Sequence, residues 1–466
     1  MTALPRSAPS AQATDAGGVV AFLDAVEGVS GIEPHSIMLL RRGRVIAEGW
    51  WSPYHPGGVQ QIYSLSKSFT ATAAGFAWAE GLLDLDAPVV SYFPELDADI
   101  TDPRSRSILV RHVASMSAGH TSEQWDRALA ADREEPVRGF LLEPPDGTPG
   151  VTFAYSQSTT YALGAIIQRQ SGQSLIEYLR PRLFEPLGIG EAFWFRHPAA
   201  GRDLGFAGLH VTTDAIARLG QLYLQNGVWE GQRLLAPEWV AEATRAQVDN
   251  SNGSGSDADS DWAQGYGFQF WMSRHGYRGD GAFGQLCVVL PEQDVVLAMT
   301  TEAVAMHLIL EAAWTHLLPA FDRAGSAEAD AALKQRLTGL QLPFPDGEEV
   351  PDSEFTVART AVERLRRVSL TAQKLTLQED DGTVTTLPLL TGAWPPPTGH
   401  LSARAARTDP DTVRVDVQFV QSPHKLVITG DLRSGTFDAA WRAAPLGHVS
   451  KFSLFDLANP EPRKAP

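Results

Sequence analysis

The alternation of apolar and polar positions divides the chain into two unlike parts. Up to about residue 320, apolar residues recur at helical spacing in some stretches and at strand spacing in others. Helices are predicted over 18–28, 159–169, 174–183, 213–224 and 303–317, with Leu163, Ile166 and Ile167 on one face of the second. A strand pair joined at Arg42-Gly43 is predicted within 36–50, and two more strands over 285–291 and 294–300. Beyond residue 350 the pattern becomes β-like, with runs at 369–377, 383–389, 412–420, 426–429 and 437–441 and a hairpin turn at Asp381-Gly382. The expected fold class is α+β followed by an all-β unit. The expected division is a disordered Ala/Pro/Ser/Gly-rich start over 1–18, a first domain over 19–324, a linker over 325–350 and an antiparallel β domain over 351–466.

Composition narrows the classes of function. The chain has 466 residues, too many for one typical core, with 43% hydrophobic and 20% charged residues. A net charge of -17 opposes binding to a phosphate backbone, so nucleic acid is not an expected partner. One cysteine, Cys287, rules out an internal disulfide framework. No apolar run is long enough to span a bilayer, and the first residues lack the apolar core of a signal peptide, so a soluble, cytoplasmic protein is expected, with no membrane partner.

The chemistry centres on Tyr63-Ser64-Leu65-Ser66-Lys67-Ser68, at the head of an Ala-rich helix predicted to run to about Glu80. Residues three apart share a helical face, so Ser64 and Lys67 can meet. A hydroxyl in the first turn also lies beside free backbone amides, a suitable place to generate an oxyanion. A second Ser-x-x-Lys, Ser422-Pro423-His424-Lys425, contains a proline and precedes Leu426-Val427-Ile428, so it reads as a turn into a strand. His112, within an apolar helix predicted over 108–119, reads as a structural histidine. Residues 121–142 read as a surface helix or lid. Residues 249–261 read as a flexible insertion, because the acidic run Asp257 to Asp261 lacks the glycine and closing glutamate of a calcium loop. Gly279-Asp280-Gly281-Ala282-Phe283-Gly284 leads into a strand and not a helix. Its glycines therefore suit a hairpin or the close approach of a ligand to a strand edge, not a dinucleotide.

Taken in order, these segments resemble the serine β-lactamase-like superfamily, in particular the branch of class C β-lactamases, D-Ala-D-Ala carboxypeptidases, family VIII esterases and 6-aminohexanoate-dimer hydrolases. The resemblance covers roughly 20–320. It rests on Ser64-Leu65-Ser66-Lys67, on the segment 108–119, on Tyr155-Ser156-Gln157 in the place of Tyr-x-Asn, and on 279–285 in the place of the third motif, Lys-Thr-Gly or His-x-Gly. It implies an antiparallel sheet flanked by helices with an all-helical part beside it, and a serine hydrolase cleaving a small ester or amide. Ser64 would attack the carbonyl, and Lys67 and Tyr155 would share the proton. The amides of Ser64 and Ala282 would bind the oxyanion, each such donor being worth about 3–4 kcal/mol. Gln157, Asp280, Gly281 and Trp125 are the candidate substrate contacts, with His120 beside Trp125 at the pocket mouth. No metal or cofactor is called for.

Two departures bear on the substrate. Gln157 replaces the asparagine, and the third motif offers Gly279 and Asp280 where the family has a cation, with the adjacent Arg278 a candidate to supply that charge to the substrate. Both weigh against β-lactam or D-Ala-D-Ala substrates. Acyl transfer from the same acyl-enzyme is an alternative function, and a non-catalytic binding protein on this fold is another. Three roles are open to the β domain: packing on the first domain, shaping its entrance, or joining two copies in a homodimer.

Overall fold

The computed structural model describes residues 3–251 and 259–447. Its central sheet has six strands: β1 (Ile32–Arg41), β2 (Arg44–Trp50), β3 (Trp271–Met272), β4 (Tyr277–Gly281), β5 (Gln285–Leu290) and β6 (Val295–Ala303). Their order is β2-β1-β6-β5-β4-β3, and neighbours run antiparallel. All ten residues of β1 are buried, because both faces of the sheet are covered. Ile37 and Leu39 point into a core shared with helix α1 (Ala16–Glu27) and the closing helical segment around Trp314. Met38 and Leu40 point the other way, into a larger core. That core contains α2 (Ser66–Ala79), α3 (Gln157–Ser171) and α4 (Thr213–Leu224). Helix α3 is buried almost all round, consistent with its place at the middle of the helical part. This is the α+β organisation expected from the sequence. Among the described residues, no helix is long and apolar enough to cross a membrane.

The C-terminal unit is a single sheet of eight strands: β7 (Ser353–Thr360), β8 (Leu365–Thr371), β9 (Lys374–Glu379), β10 (Val384–Pro388), β11 (Leu401–Asp409), β12 (Thr412–Phe419), β13 (Lys425–Asp431) and β14 (Thr436–Trp441). Its order is β10-β9-β8-β7-β14-β13-β12-β11, and its two edge strands approach one another, giving a barrel-like shape around a core of its own. The sheet is not wholly antiparallel as expected, since β7 and β14 pair in parallel. The predicted run 369–377 is two strands turning at Ala372-Gln373, while β7 and β11 have no counterpart among the predicted runs. Both lack a clean apolar alternation: β7 has one buried residue, and β11 carries three arginine or aspartate side chains among alanines.

Three segments differ from expectation. Residues 3–18, expected to be disordered, lie on the first domain: Leu4 is buried, Pro5 and Ser7 bond the Val45 backbone along the edge of β2, and Asp15 caps α1. The expected linker 325–350 holds a helix, Ala327–Arg336, whose Leu333 joins the core beneath α1, and a strap in which Leu340 and Leu342 pair with Ser52. Of the expected insertion, residues 252–258 lie outside the described residues. Asp261 at its end is 3% exposed, and its carboxylate accepts hydrogen bonds from Arg274 and the Trp314 indole. Of the expected β domain, 448–466 also lie outside the described residues.

Candidate active site

Ser64 sits in a tight turn, Tyr63–Leu65, immediately before α2, which begins at Ser66 and not at Tyr63 as the motif suggested. The Ser66 hydroxyl fixes the turn: it donates to the Tyr63 carbonyl at 2.5 Å and accepts from the Leu209 amide at 3.1 Å. Ser64 is partly open to solvent, whereas Lys67 is 1% exposed. Lys67 Nζ lies 3.2 Å from Ser64 Oγ, 2.6 Å from Gln157 Oε1 and 2.9 Å from the Phe206 carbonyl oxygen. Burial lowers the Lys67 pKa to about 7, against the opposing pull of the Glu123 carboxylate. A neutral amine has two hydrogens and one lone pair. The two carbonyl oxygens can only accept, so they take the hydrogens and leave the lone pair facing the Ser64 hydroxyl.

Tyr155 completes the group. Its ring lies under Lys67 Nζ at 4.8 Å and stacks on Trp271 at 5.2 Å, and its hydroxyl lies near Ser64. Burial pushes the phenol pKa well up, and the nearby Asp280 and Glu123 carboxylates push it further, outweighing Ser64 and Arg278. Lys67 therefore meets the face of Tyr155 and does not hold it as a phenolate. Burial favours the phenol over the phenolate.

The third motif forms the β4–β5 hairpin and lies directly on the serine turn. A Cβ on Gly281 would stand 2.2 Å from the Ile62 carbonyl oxygen and 3.1 Å from the Leu65 nitrogen. One on Gly279 would stand 2.3 Å from Leu65 Cδ1. Only glycine permits this approach, which brings Ala282 to the edge of the Ser64 turn. Gly281 thus acts by its backbone. Asp280 is buried and committed: Arg278 Nε donates to its carboxylate at 2.9 Å. Arg278 has no exposure, and its Nη1 donates to Ser273 Oγ and the Asp261 carbonyl, so it is not the substrate-facing cation considered above. Gln157 is in the site, but its carbonyl oxygen is occupied by Lys67. Trp125 is half-buried and packs on Phe206 at 4.8 Å, behind the carbonyl that accepts from Lys67. His120 lies elsewhere, buried against Phe140 and bonded to the Glu143 carbonyl. His112 is structural: its Nδ1 accepts from the Leu109 amide.

Glu123, Phe206 and Trp271 are the site neighbours that the sequence does not reveal. Glu123 accepts from the amides of Trp125 and Gln157, each at 2.8 Å, and so ties the expected lid to the Tyr155 segment. Phe206 had one legible signal, the glycines at 205 and 208 with φ of 72° and 83°, which mark a sharp loop. Among the described residues, no group of three or more His, Cys, Asp or Glu is placed to hold a metal ion.

Fold and site together define one architecture: a serine turn at the head of a buried helix, packed against β4 of an antiparallel sheet. The chain belongs to the Beta-lactamase family, whose sequence profile matches residues 21–317. It is 26% identical over 220 residues to 6-aminohexanoate-dimer hydrolase of Paenarthrobacter ureafaciens, covering 44% of this chain and 55% of that protein. It is 26% identical over 183 residues to lovastatin esterase of Penicillium rubens, covering 34% and 45%. The chain thus spans about half the length of these two relatives. Among solved structures, SurE superimposes with a TM-score of 0.52 at 19% identity, covering 89% of this chain and 99% of that one. EstCE1, titled a hydrolase with promiscuous acyltransferase activity, superimposes with a TM-score of 0.51 at 18% identity, covering 63% and 99%. These two likenesses concern the fold.

Proposed function

We propose that the chain is a serine hydrolase of small, uncharged esters or amides, working through an acyl-enzyme on Ser64. One observation carries this reading: the buried Lys67 Nζ lies within hydrogen-bond reach of Gln157 Oε1, Phe206 O and Ser64 Oγ, so the neutral amine, giving its two hydrogens to the first two, turns its lone pair to Ser64. Ser64 Oγ attacks the substrate carbonyl as its proton passes to Lys67 Nζ. The backbone amides of Ser64 and Ala282 receive the oxyanion. Tyr155 and Lys67 between them return that proton to the departing alkoxide or amine, which restores both groups. Water, deprotonated by the same lysine, then adds to the acyl carbonyl, and Ser64 Oγ leaves with a proton. The names of the relatives support the ester and amide classes. The carboxylate of Glu123, with no side chain at Gly279, supports an uncharged or non-anionic substrate.

The test is intact-mass labelling with a fluorophosphonate beside turnover of short p-nitrophenyl esters. A single adduct mapped to Ser64, with adduct and turnover both lost in Ser64→Ala, is the expected result. A folded protein that gains no adduct and turns over no ester would overturn the reading in favour of a binding protein.

A further inference from the structure

The nucleophile turn is held from outside its own domain. Tyr63, just before Ser64, has φ of 46°, and Phe283, just after Ala282, has φ of 65°. Both lie in the left-handed region, which aromatic residues seldom adopt unless their surroundings impose it. These two turns supply the proposed oxyanion amides. One side chain of the C-terminal domain touches both. His424 follows the β12–β13 turn, within the second Ser-x-x-Lys that the catalytic reading leaves unused. Its Nε2 is hydrogen-bonded to the Tyr63 phenol. Its ring meets that of Phe283 edge-on, with centroids 4.9 Å apart, and Tyr63 meets Phe283 at 5.2 Å.

The hydrogen-bond directions are determined. His424 Nδ1 lies 3.0 Å from the Ala443 carbonyl oxygen, which can only accept, so Nδ1 carries the proton. Nε2 is therefore bare and accepts from the Tyr63 hydroxyl. Burial lowers the His424 pKa to about 4, which keeps the ring neutral near pH 7. The turn before His424 has two further anchors: the Gln61 amide donates to the Gln421 carbonyl at 2.8 Å, and the Tyr54 hydroxyl to the Ser422 carbonyl at 2.9 Å.

We propose that His424 is a positioning residue for acylation: by holding the Tyr63 phenol and the Phe283 ring together, it sets the spacing of the Ser64 and Ala282 amides, and so makes the C-terminal domain a working part of the active site. The proposal rests on the Ser64 acyl-enzyme reading. An oxyanion site misplaced by a fraction of an ångström loses transition-state binding while ground-state binding is little changed. The loss belongs in kcat and not in KM.

The experiment compares full-length His424→Ala, His424→Gln, Tyr63→Phe and the His424→Ala/Tyr63→Phe double variant with the unmodified protein. The readouts are the saturating rate of fluorophosphonate labelling at Ser64, kcat and KM on p-nitrophenyl acetate, and circular dichroism with thermal unfolding to establish folding. The expected result is a labelling rate and kcat about 10- to 50-fold lower in His424→Ala and Tyr63→Phe, with KM within about twofold. His424→Gln, which keeps an acceptor, recovers much of the loss. The double variant falls no further than either single one, because both break one contact. If His424→Ala does not fold, Tyr63→Phe, which removes a single oxygen, carries the test. Folded variants that label at the unmodified rate, losses that add in the double variant, or a change in KM alone would each overturn the proposal. A folded unmodified protein without a Ser64 adduct would overturn the acyl-enzyme reading itself, and this proposal with it, which separates the two failures.

Discussion

Three oxygens converge on the Lys67 nitrogen, and the balance among them makes its protonation testable. With a pKa lowered to about 7 by burial, the ammonium form predominates below that value and cannot take the serine proton. The rate constant kcat/KM on a neutral ester should therefore rise as pH climbs through about 7 and level off above it, read from a profile on the free enzyme. Gln157→Glu places a carboxylate where a neutral carbonyl now lies 2.6 Å from Nζ. It favours the ammonium, so the rising limb should move to higher pH, by about one to two units, in the same measurement. An unmoved limb would show that Gln157 does not set the state of Lys67. Lys67→Met should remove labelling and turnover while leaving the fold intact by circular dichroism, because a buried amine is replaced by a side chain of similar length. Ser64 and Lys67 are legible as a pair from their spacing alone. The Phe206 carbonyl is not, because a backbone acceptor 139 residues away has no residue-type signature.

Between elements, the decisive contact is β4 against the serine turn. The Gly-x-Gly-x-x-Gly pattern correctly implies a close approach at a strand edge, but what approaches is the protein's own backbone at Ile62 and Leu65 as well as any ligand. Gly281→Ala forces a methyl carbon to within 2.2 Å of the Ile62 oxygen unless the strand retreats. Retreat displaces Ala282 from the oxyanion position, so labelling and kcat should fall about 100-fold. Overpacking of this kind should also lower stability by about 1–3 kcal/mol. Labelling kinetics and thermal unfolding on one preparation check both, and an unchanged rate would remove Ala282 from the site. The start of α2 at Ser66 has a related cause. Tyr63 is held in a left-handed conformation by contacts outside the helix, which no local propensity encodes.

Across the whole molecule, the two domains are joined by charge as well as by apolar packing. Lys425 bonds Glu33 at 2.6 Å, and Arg442 bonds Glu302 at 2.7 Å, all with little exposure apart from Arg442. Trp394 is 4% exposed and donates to the Leu342 carbonyl, which places this side chain at the junction. Burial raises the Glu302 pKa from 4.5 to about 7, with Glu33 adding and Arg442 and Lys425 opposing. Between those values the folded state keeps a proton that the unfolded chain has released, so this group's contribution to stability is lost as pH rises from about 4.5 to 7. Glu302→Gln should flatten the pH dependence of the thermal midpoint over that window, and an unaltered slope would assign it to other groups. At the scale of the whole surface, a net charge of -17 and the Glu123 carboxylate beside the site disfavour anions. An ester bearing a carboxylate should show a kcat/KM about tenfold or more below its neutral analogue, the gap narrowing as salt screens the repulsion. Equal rates at low salt would contradict this.

What the sequence alone determined is local: the Ser-x-x-Lys spacing, the Tyr155 segment, the glycine hairpin, and the apolar periodicities that make a helical part, a central sheet and a β unit. Each is a relation among residues a few positions apart, which chain geometry fixes directly. Only the tertiary structure decided that Lys67 is buried between Gln157 and Phe206, that Arg278 serves Asp280 and not a substrate, and that His424 reaches Tyr63. These relations join residues far apart in the chain. Burial and the choice of partner, which govern protonation and orientation, arise only when those segments pack together.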